Sequence, residues 1–167
     1  MHAQLTDGTE VLIRAIRPDD KALLVQGMEN LSPASRRARF LTAKPRLSSS
    51  ELHYLTELDG LDHYALIAVL ADDPSQLAGV ARFIRSKDDP EAAELAITVG
   101  DPLQGKGLGR TLGLRLADAA RARGVRRFTA VMLADNVAAH RLFRAISLRL
   151  ETAHAGGINE LVADLAA

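Results

Sequence analysis

The sequence contains no cysteine, and tyrosine, phenylalanine and tryptophan together make up 4% of its 167 residues. The lack of cysteine excludes disulfides, thiolate metal sites and a cysteine nucleophile. No apolar run approaches the length of a membrane span, and the chain is polar from its first residues. Acidic and basic residues balance at 21 each, which argues against general nucleic-acid binding. We therefore expect a cytoplasmic protein with neither a membrane nor a nucleic acid as its partner.

A chain of this length suits one domain with one core, and its 47% hydrophobic content is ordinary for a globular protein. Its charges are unevenly placed. Residues 48–101 carry eleven acidic and three basic residues, whereas residues 100–150 carry ten basic and three acidic ones. This later region would attract a polyanionic ligand. Arginines that only solvate two helices explain the pattern equally well.

The spacing of apolar residues alternates between strand and helix periods along the chain. It predicts strands over residues 9–16, 64–70, 76–85, 91–100, 126–133, 148–152 and 158–165. It predicts helices after Arg17, from Ser32 to Phe40, after a capping box at Ser48 and Glu51, and over residues 107–123 and 136–146. Short turns make residues 64–100 an antiparallel meander. We expect a single α/β (α+β) domain over residues 1–167, with a mixed, mostly antiparallel sheet flanked by helices.

A glycine-rich segment joins one predicted strand to the longest predicted helix, with the sequence Gln104-Gly105-Lys106-Gly107-Leu108-Gly109. Its glycines let backbone N–H groups converge, and the helix start adds free amides and a positive dipole end. The segment therefore predicts a nest for a pyrophosphate, with Lys106 and Arg110 adding charge at its rim. Neither a P-loop nor a dinucleotide fingerprint fits the spacing. A glycine-rich turn without a ligand remains the structural alternative.

The same segment carries a family resemblance. Gln104, Gly107 and Gly109, followed by Asn136, resemble the cofactor motif of the GNAT acetyltransferase superfamily, and the order of predicted elements resembles the GNAT fold along nearly the whole chain. The resemblance implies acetyl-CoA as the cosubstrate, with its pyrophosphate in the nest. It also implies that the pantetheine arm pairs with the backbone of residues 97–99 (Ile97, Thr98, Val99) and bonds to Asn136. His140, four residues after Asn136, is either a further contact to CoA or an exposed helix histidine.

A narrower resemblance covers the first hundred residues. Ser32-Pro-Ala-Ser35-Arg-Arg-Ala-Arg39-Phe40 and Ala93-Glu94-Leu95-Ala96 are similar to the GNAT domain of bacterial protein lysine acetyltransferases called Pat. The similarity implies an amine acceptor, with a protein lysine as one candidate, and Glu94 as the general base. Such enzymes often carry a regulatory domain, for which this sequence has no room. We expect a stand-alone catalytic domain, as a monomer or a homodimer.

The chemistry implied is the acetylation of a primary amine, which must first lose a proton because its pKa lies near about 10.4. Glu94 is the candidate to take that proton, directly or through water. The backbone N–H of Ile97 is the candidate donor to the thioester oxygen. Many GNAT enzymes place a tyrosine seven residues after the asparagine, but here that residue is Phe143. The usual acid for the leaving thiolate is therefore missing.

Two other functions stay open. The chain is either an acetyltransferase for a small-molecule amine or a non-catalytic acyl-CoA-binding module, an alternative that Phe143 favours. His63 lies on the acceptor side, where it is either a proton-transfer group or an ordinary core histidine. No histidines or carboxylates show metal-ligand spacing, so we expect no metal.

Overall fold

Eight strands form one continuous sheet in residues 1–165, the part of the chain that this computed structural model describes. They are β1 (His2–Gln4), β2 (Glu10–Ala15), β3 (His63–Leu70), β4 (Leu77–Arg85), β5 (Ala92–Val99), β6 (Arg127–Leu133), β7 (Arg149–Ala155) and β8 (Ile158–Asp164). The α-helices in the same stretch are α1 (Lys21–Asn30), α2 (Pro33–Phe40), α3 (Ser49–Thr56), α4 (Leu108–Arg121) and α5 (Val137–Ile146). None of these helices is both long and apolar enough to cross a membrane.

The strands follow the order β1-β2-β3-β4-β5-β6-β8-β7, and within residues 1–165 each neighbouring pair except β5 and β6 is antiparallel. The predicted meander is confirmed as β3-β4-β5, because short turns return each strand beside the one before it. The predicted mixed, mostly antiparallel sheet is confirmed as well. The single parallel pair is what creates the site described below.

Helices cover both faces of the sheet. Helix α4 packs on β3, β4 and β5 beside α5, whereas α1 and α2 contact β4 and β5 on the opposite face. The two faces are visible in neighbouring residues of β4. A Cβ on Gly79 would meet Leu108 and Leu112 of α4 at 3.2–3.3 Å, while Val80 lines a cavity beneath α1 and α2. The sheet thus separates a layer containing α4 from a layer containing α1 and α2.

The core lies between α4 and the sheet. Leu108, Leu112 and Leu116 recur at helical spacing on α4 and are buried against the sheet, where the rings of Phe83 and Phe128 stand 6.2 Å apart. Burial of each leucine side chain stabilises the fold by roughly 1.5–3 kcal/mol. This apolar face fixes how α4 lies on the sheet, and hence where its N-terminus points.

Two local features differ in how well the sequence predicts them. The capping box is confirmed, because Ser48 Oγ accepts from the Glu51 amide at 3.2 Å and a Glu51 carboxylate oxygen accepts from the Ser48 amide at 2.7 Å. Strand β1 is not predicted, because its three residues are polar or small and show no alternation. It forms because its backbone pairs with β2.

Candidate active site

Strands β5 and β6 pair only at their first three residues and then separate. The parallel ladder ends where Glu94 lies opposite Thr129, yet β5 continues to Val99 and β6 to Leu133. Within the described residues, the β6 side of β5 therefore has no strand partner beyond Glu94. A sheet edge of this kind offers backbone donors and acceptors to an extended ligand.

The hydrogen-bond alternation of the β4–β5 pair decides which residues face this open edge. The Gly100 amide donates to the Ala78 carbonyl at 2.9 Å, so the two form a hydrogen-bonded pair. Bonded and non-bonded pairs alternate, which directs the backbone groups of Thr98 toward β4 and those of Ile97 and Val99 toward the opening. The predicted backbone contacts thus fit Ile97 and the Val99 amide, whereas the Val99 carbonyl already accepts from Gln104 Nε2. For Thr98 the prediction needs correction, because its backbone groups are used by β4 and its side chain lines the cavity on the other face.

The glycine-rich loop is exposed and carries unused amides. Gly105 and Gly107 have φ angles of +74° and +88°, a left-handed conformation that favours glycine. The first bond into α4 runs from the Thr111 amide to the Gly107 carbonyl at 3.0 Å. Between residues 1 and 165, no partner accepts a hydrogen bond from the amides of residues 105–110. These six donors and the dipole of α4 have the arrangement that an anion nest requires, and anion binding there stays a prediction.

The side chains around the nest contribute unequally. Leu108 is buried in the core, so only its amide can reach a ligand. Lys106 forms an ion pair with Asp7 at 2.7 Å, and this contact lowers the pKa of the Asp7 carboxyl to about 2. Arg110 is exposed at the start of α4, where its guanidinium can reach a phosphate. Gly109 is helical, and its amide belongs to the nest.

A hydrogen-bonded junction links this loop to the N-terminus of α2. Gln104 Nε2 donates to the Val99 carbonyl and to Ser35 Oγ, both at 3.1 Å. Ser35 Oγ in turn donates to Asp101 Oδ1 at 2.7 Å, and Ser32 donates to the same carboxylate through its amide and its hydroxyl. Gln104 therefore positions the loop rather than only facing the ligand. Sequence reasoning missed Asp101, because its partners lie 66 and 69 residues away.

Asp101 gives a prediction for stability. Burial would raise the pKa of its carboxyl, but hydrogen bonds from Ser32 and Ser35 outweigh burial and lower the pKa below the ordinary value of 3.8. Asp101→Ala removes these bonds, and we expect a loss of about 1–3 kcal/mol in the free energy of unfolding at pH 7. Urea unfolding measures the loss. Asp72→Ala, in an exposed turn, is the matched control and should change stability by less than about 0.5 kcal/mol.

The pH dependence has a definite sign. A carboxyl whose folded pKa is lowered stabilises the fold above its unfolded pKa and loses that effect as the pH falls through the folded value. The stability difference between the wild type and Asp101→Ala should therefore persist at neutral pH and shrink below pH 3.8. A difference that grows as acid is added would contradict this role of Asp101.

Helix α5 lies beside α4 and carries the remaining predicted cofactor residues. Asn136 is its N-cap, and Asn136 Oδ1 accepts from the Ala139 amide at 3.1 Å. The side-chain nitrogen of Asn136 remains available to donate to a ligand. His140 is half-buried one turn later, with Nε2 3.5 Å from Thr152 Oγ1. Phe143 is 4% exposed and belongs to the core, so it fills the position of the missing tyrosine with apolar packing.

Glu94 lies at the point where β5 and β6 separate, and its side chain is exposed. It shares a face of β5 with Ala96 and Thr98, which line the cavity beneath α1 and α2. No described residue forms a salt bridge or a side-chain hydrogen bond with its carboxylate. Glu94 therefore lies where the open edge of β5 begins, and on the face of the sheet that borders the cavity.

The cavity contains two arginines that sequence reasoning did not assign to a site. Arg82 is 4% exposed on β4, and its Nη1 donates to the Leu55 carbonyl and to His63 Nε2, both at 3.1 Å. Burial and the charge of Arg82 lower the pKa of His63 to about 4. His63 is thus a neutral acceptor at pH 7 and does not carry a proton to the site. Arg39 comes from α2, inside the Ser32–Phe40 segment, and also lines the cavity.

Comparison with known proteins places this geometry in a family. The sequence profile described as the acetyltransferase (GNAT) family matches residues 28–146. The chain is similar to acetyltransferase PA5475 of Pseudomonas aeruginosa, with 34% identity over 133 residues that cover 79% of this chain and 71% of that protein. It is 33% identical to acetyltransferase Pat of Mycolicibacterium smegmatis over 146 residues, which are 83% of this chain and 41% of the relative. The chain thus spans about two fifths of that Pat protein.

A solved structure agrees along nearly the whole length. The GNAT domain of S. lividans PAT superimposes with a TM-score of 0.89 and 30% identity, covering 99% of this chain and 96% of that domain. The chain therefore belongs to the GNAT family of N-acetyltransferases.

Proposed function

We propose that this protein transfers the acetyl group of acetyl-CoA to a primary amine, a protein lysine or a small molecule. The observation that supports the donor is the set of amides at residues 105–110, none of which has a hydrogen-bond acceptor among residues 1–165. The nest suits the pyrophosphate, and the N–H and C=O groups of Ile97 suit an amide-containing arm along the edge. Arg110 of α4, together with Asn136 and His140 at the start of α5, supplies the side chains proposed to contact the same donor.

The chemical step needs a deprotonated amine and a polarised thioester. Glu94 takes the proton from the amine, directly or through water, and the amine nitrogen then forms a bond to the acetyl carbon. The Ile97 amide donates to the thioester oxygen as its negative charge develops. The nitrogen, now bonded to the acetyl carbon, gives a second proton to solvent, the carbon–sulfur bond breaks and CoA leaves as a thiolate. A thiol with a pKa of about 8.5 is a good leaving group, so solvent can supply its proton and Phe143 need not be replaced by an acid.

The test is a direct assay of acetyl transfer. Purified protein is mixed with acetyl-CoA and a panel of lysine peptides, amino acids and polyamines, while CoA release and acetylated products are followed by mass spectrometry. We expect CoA to bind and at least one amine class to gain one acetyl group. CoA binding without transfer to any amine would favour the acyl-CoA-binding module, and failure to bind CoA would contradict the proposed role of the nest.

A further inference from the structure

The cavity beneath α1 and α2 combines an apolar wall with two arginines. Its volume is about 460 Å³, within the range of small-molecule sites. Most of its wall is apolar and includes Leu24, Met28, Leu31, Phe40, Leu47 and Leu55. Arg39 and Arg82 enter it from α2 and β4. A ligand that fills this space would meet both an apolar surface and a concentrated positive charge.

The sheet register places Arg82 close to Glu94. Arg82 lies directly opposite Ala96 in the β4–β5 pair, and Glu94 is two residues before Ala96 on the same face. Diagonal neighbours of this kind have Cβ atoms about 7–8 Å apart. Arg39 lines the same cavity as Arg82 and Ala96. Burial lowers the pKa of Arg39, and the negative charge of Glu94 opposes this effect. The two guanidiniums therefore border the place where the amine loses its proton.

These two positive charges have no carboxylate partner of their own. Burial lowers the pKa of Arg39, and burial together with Arg39 lowers the pKa of Arg82 to about 10. In residues 1–165 neither guanidinium comes within salt-bridge distance of an acidic side chain. Like charges in a poorly solvated site are costly unless an anion compensates them. The arrangement thus suits an anion that arrives with a ligand.

The acidic residue that lines the cavity does not meet this need. Asp101 lies after the end of β5, in the 3-10 turn at residues 101–103. Its oxygens already accept from Ser32 and Ser35. Glu94 is exposed and, under the proposed function, accepts a proton from the amine. Asp101 is therefore occupied by its serine partners, and Glu94 is not within salt-bridge distance of Arg39 or Arg82 and loses its negative charge when it takes the proton.

We propose that Arg39 and Arg82 bind the carboxylate of the acceptor, which is an α-amino acid with an apolar side chain. This inference rests on the proposed acetyl transfer. In an α-amino acid the amine and the carboxylate are attached to one carbon, which matches a base and two guanidiniums that are near neighbours. The apolar wall then receives the side chain. A carboxylate on the acyl chain of the donor is the other source of the same charge.

The test compares amines with and without a carboxylate. We expect kcat/KM for leucine and phenylalanine to exceed that for isopentylamine and phenethylamine by at least about tenfold, equivalent to one ion-paired hydrogen bond. Arg39→Gln should reduce this ratio about tenfold, and Arg39→Lys should recover part of it. Arg37→Gln, an exposed arginine on the same helix, should leave the ratio unchanged. A second series compares acetyl-CoA with succinyl-CoA and tests whether the arginines bind a carboxylate on the acyl chain of the donor.

The outcomes separate this inference from the proposed function. If Arg39→Gln lowered kcat/KM equally for leucine and isopentylamine, Arg39 would act on Glu94 and not on a substrate carboxylate, and the proposal would be overturned. A change confined to succinyl-CoA would also overturn it. If no amine is acetylated, calorimetric titration of the CoA-loaded protein with N-acetylleucine decides. Binding that weakens in Arg39→Gln but not in Arg37→Gln would support the carboxylate site without turnover, and no binding to the wild type would refute it.

Discussion

Glu94→Gln lowers kcat/KM for acetyl transfer by about 100- to 10,000-fold, the range that a positioned general base contributes. Glutamine keeps the size of the side chain but cannot accept the proton that the amine must lose. The affinity for CoA should stay within about twofold, because Glu94 lies at the start of the open edge and away from the amides of residues 105–110. Steady-state kinetics with a saturating donor and calorimetry with CoA measure the two effects.

The matched control is Glu91→Gln, an exposed glutamate just before β5. It removes the same charge three residues from Glu94 and should leave kcat/KM within about twofold. Equal turnover in Glu94→Gln and the wild type would remove Glu94 from the mechanism. A similar loss in both variants would point instead to the negative field of this strand end. The comparison therefore separates the proton-accepting role of the Glu94 carboxylate from the general effect of removing one negative charge near the start of β5.

Gly107→Ala should weaken CoA binding by about tenfold or more. Gly107 has a φ of +88°, which costs an L-residue roughly 1–2 kcal/mol, and 1.4 kcal/mol corresponds to a factor of ten in affinity. The variant either keeps the strained loop and loses stability, or relaxes and turns the amides away from the phosphate. CoA titration and urea unfolding together show which of the two occurs.

Gly109→Ala is the control within the same motif. Gly109 is helical, and a Cβ there would lie 3.6 Å from Val99 Cγ2 and 3.9 Å from Leu142 Cδ2, both ordinary contacts. We expect its CoA affinity to stay within about twofold of the wild type. Wild-type CoA affinity together with wild-type stability in Gly107→Ala would mean that the left-handed turn does not determine the direction of the amides.

Local chemistry explains what the sequence predicts well. The sequence predicts the loop at residues 104–109 because left-handed turns favour glycine. It predicts the start of α3 because the capping residues Ser48 and Glu51 lie within one turn of each other. The β3–β5 meander follows from short turns between apolar runs. Each of these features is determined by residues that are close together in the chain, so a short stretch of sequence is enough to predict it.

Features that depend on register or on distant partners are not visible in the sequence. The direction of the Thr98 backbone follows from the alternation of bonds with β4, which no single-strand pattern reveals. Arg39, Arg82 and Glu94 come from three elements, and only the packed sheet and α2 bring them together. The Ser32–Phe40 segment did single out the stretch that carries Arg39, but as a resemblance rather than as a positive charge within the cavity.

The junction of Gln104, Ser35 and Asp101 affects how kinetic data on this protein are interpreted. It joins the glycine-rich loop, which is proposed to bind the donor, to helix α2, which carries Arg39. The proposed donor site and the proposed acceptor site therefore share one set of hydrogen bonds. A substitution at Ser35 can disturb the Michaelis constants of both substrates without touching either of them. A raised KM for the acceptor is therefore not sufficient to identify a contact residue along this path.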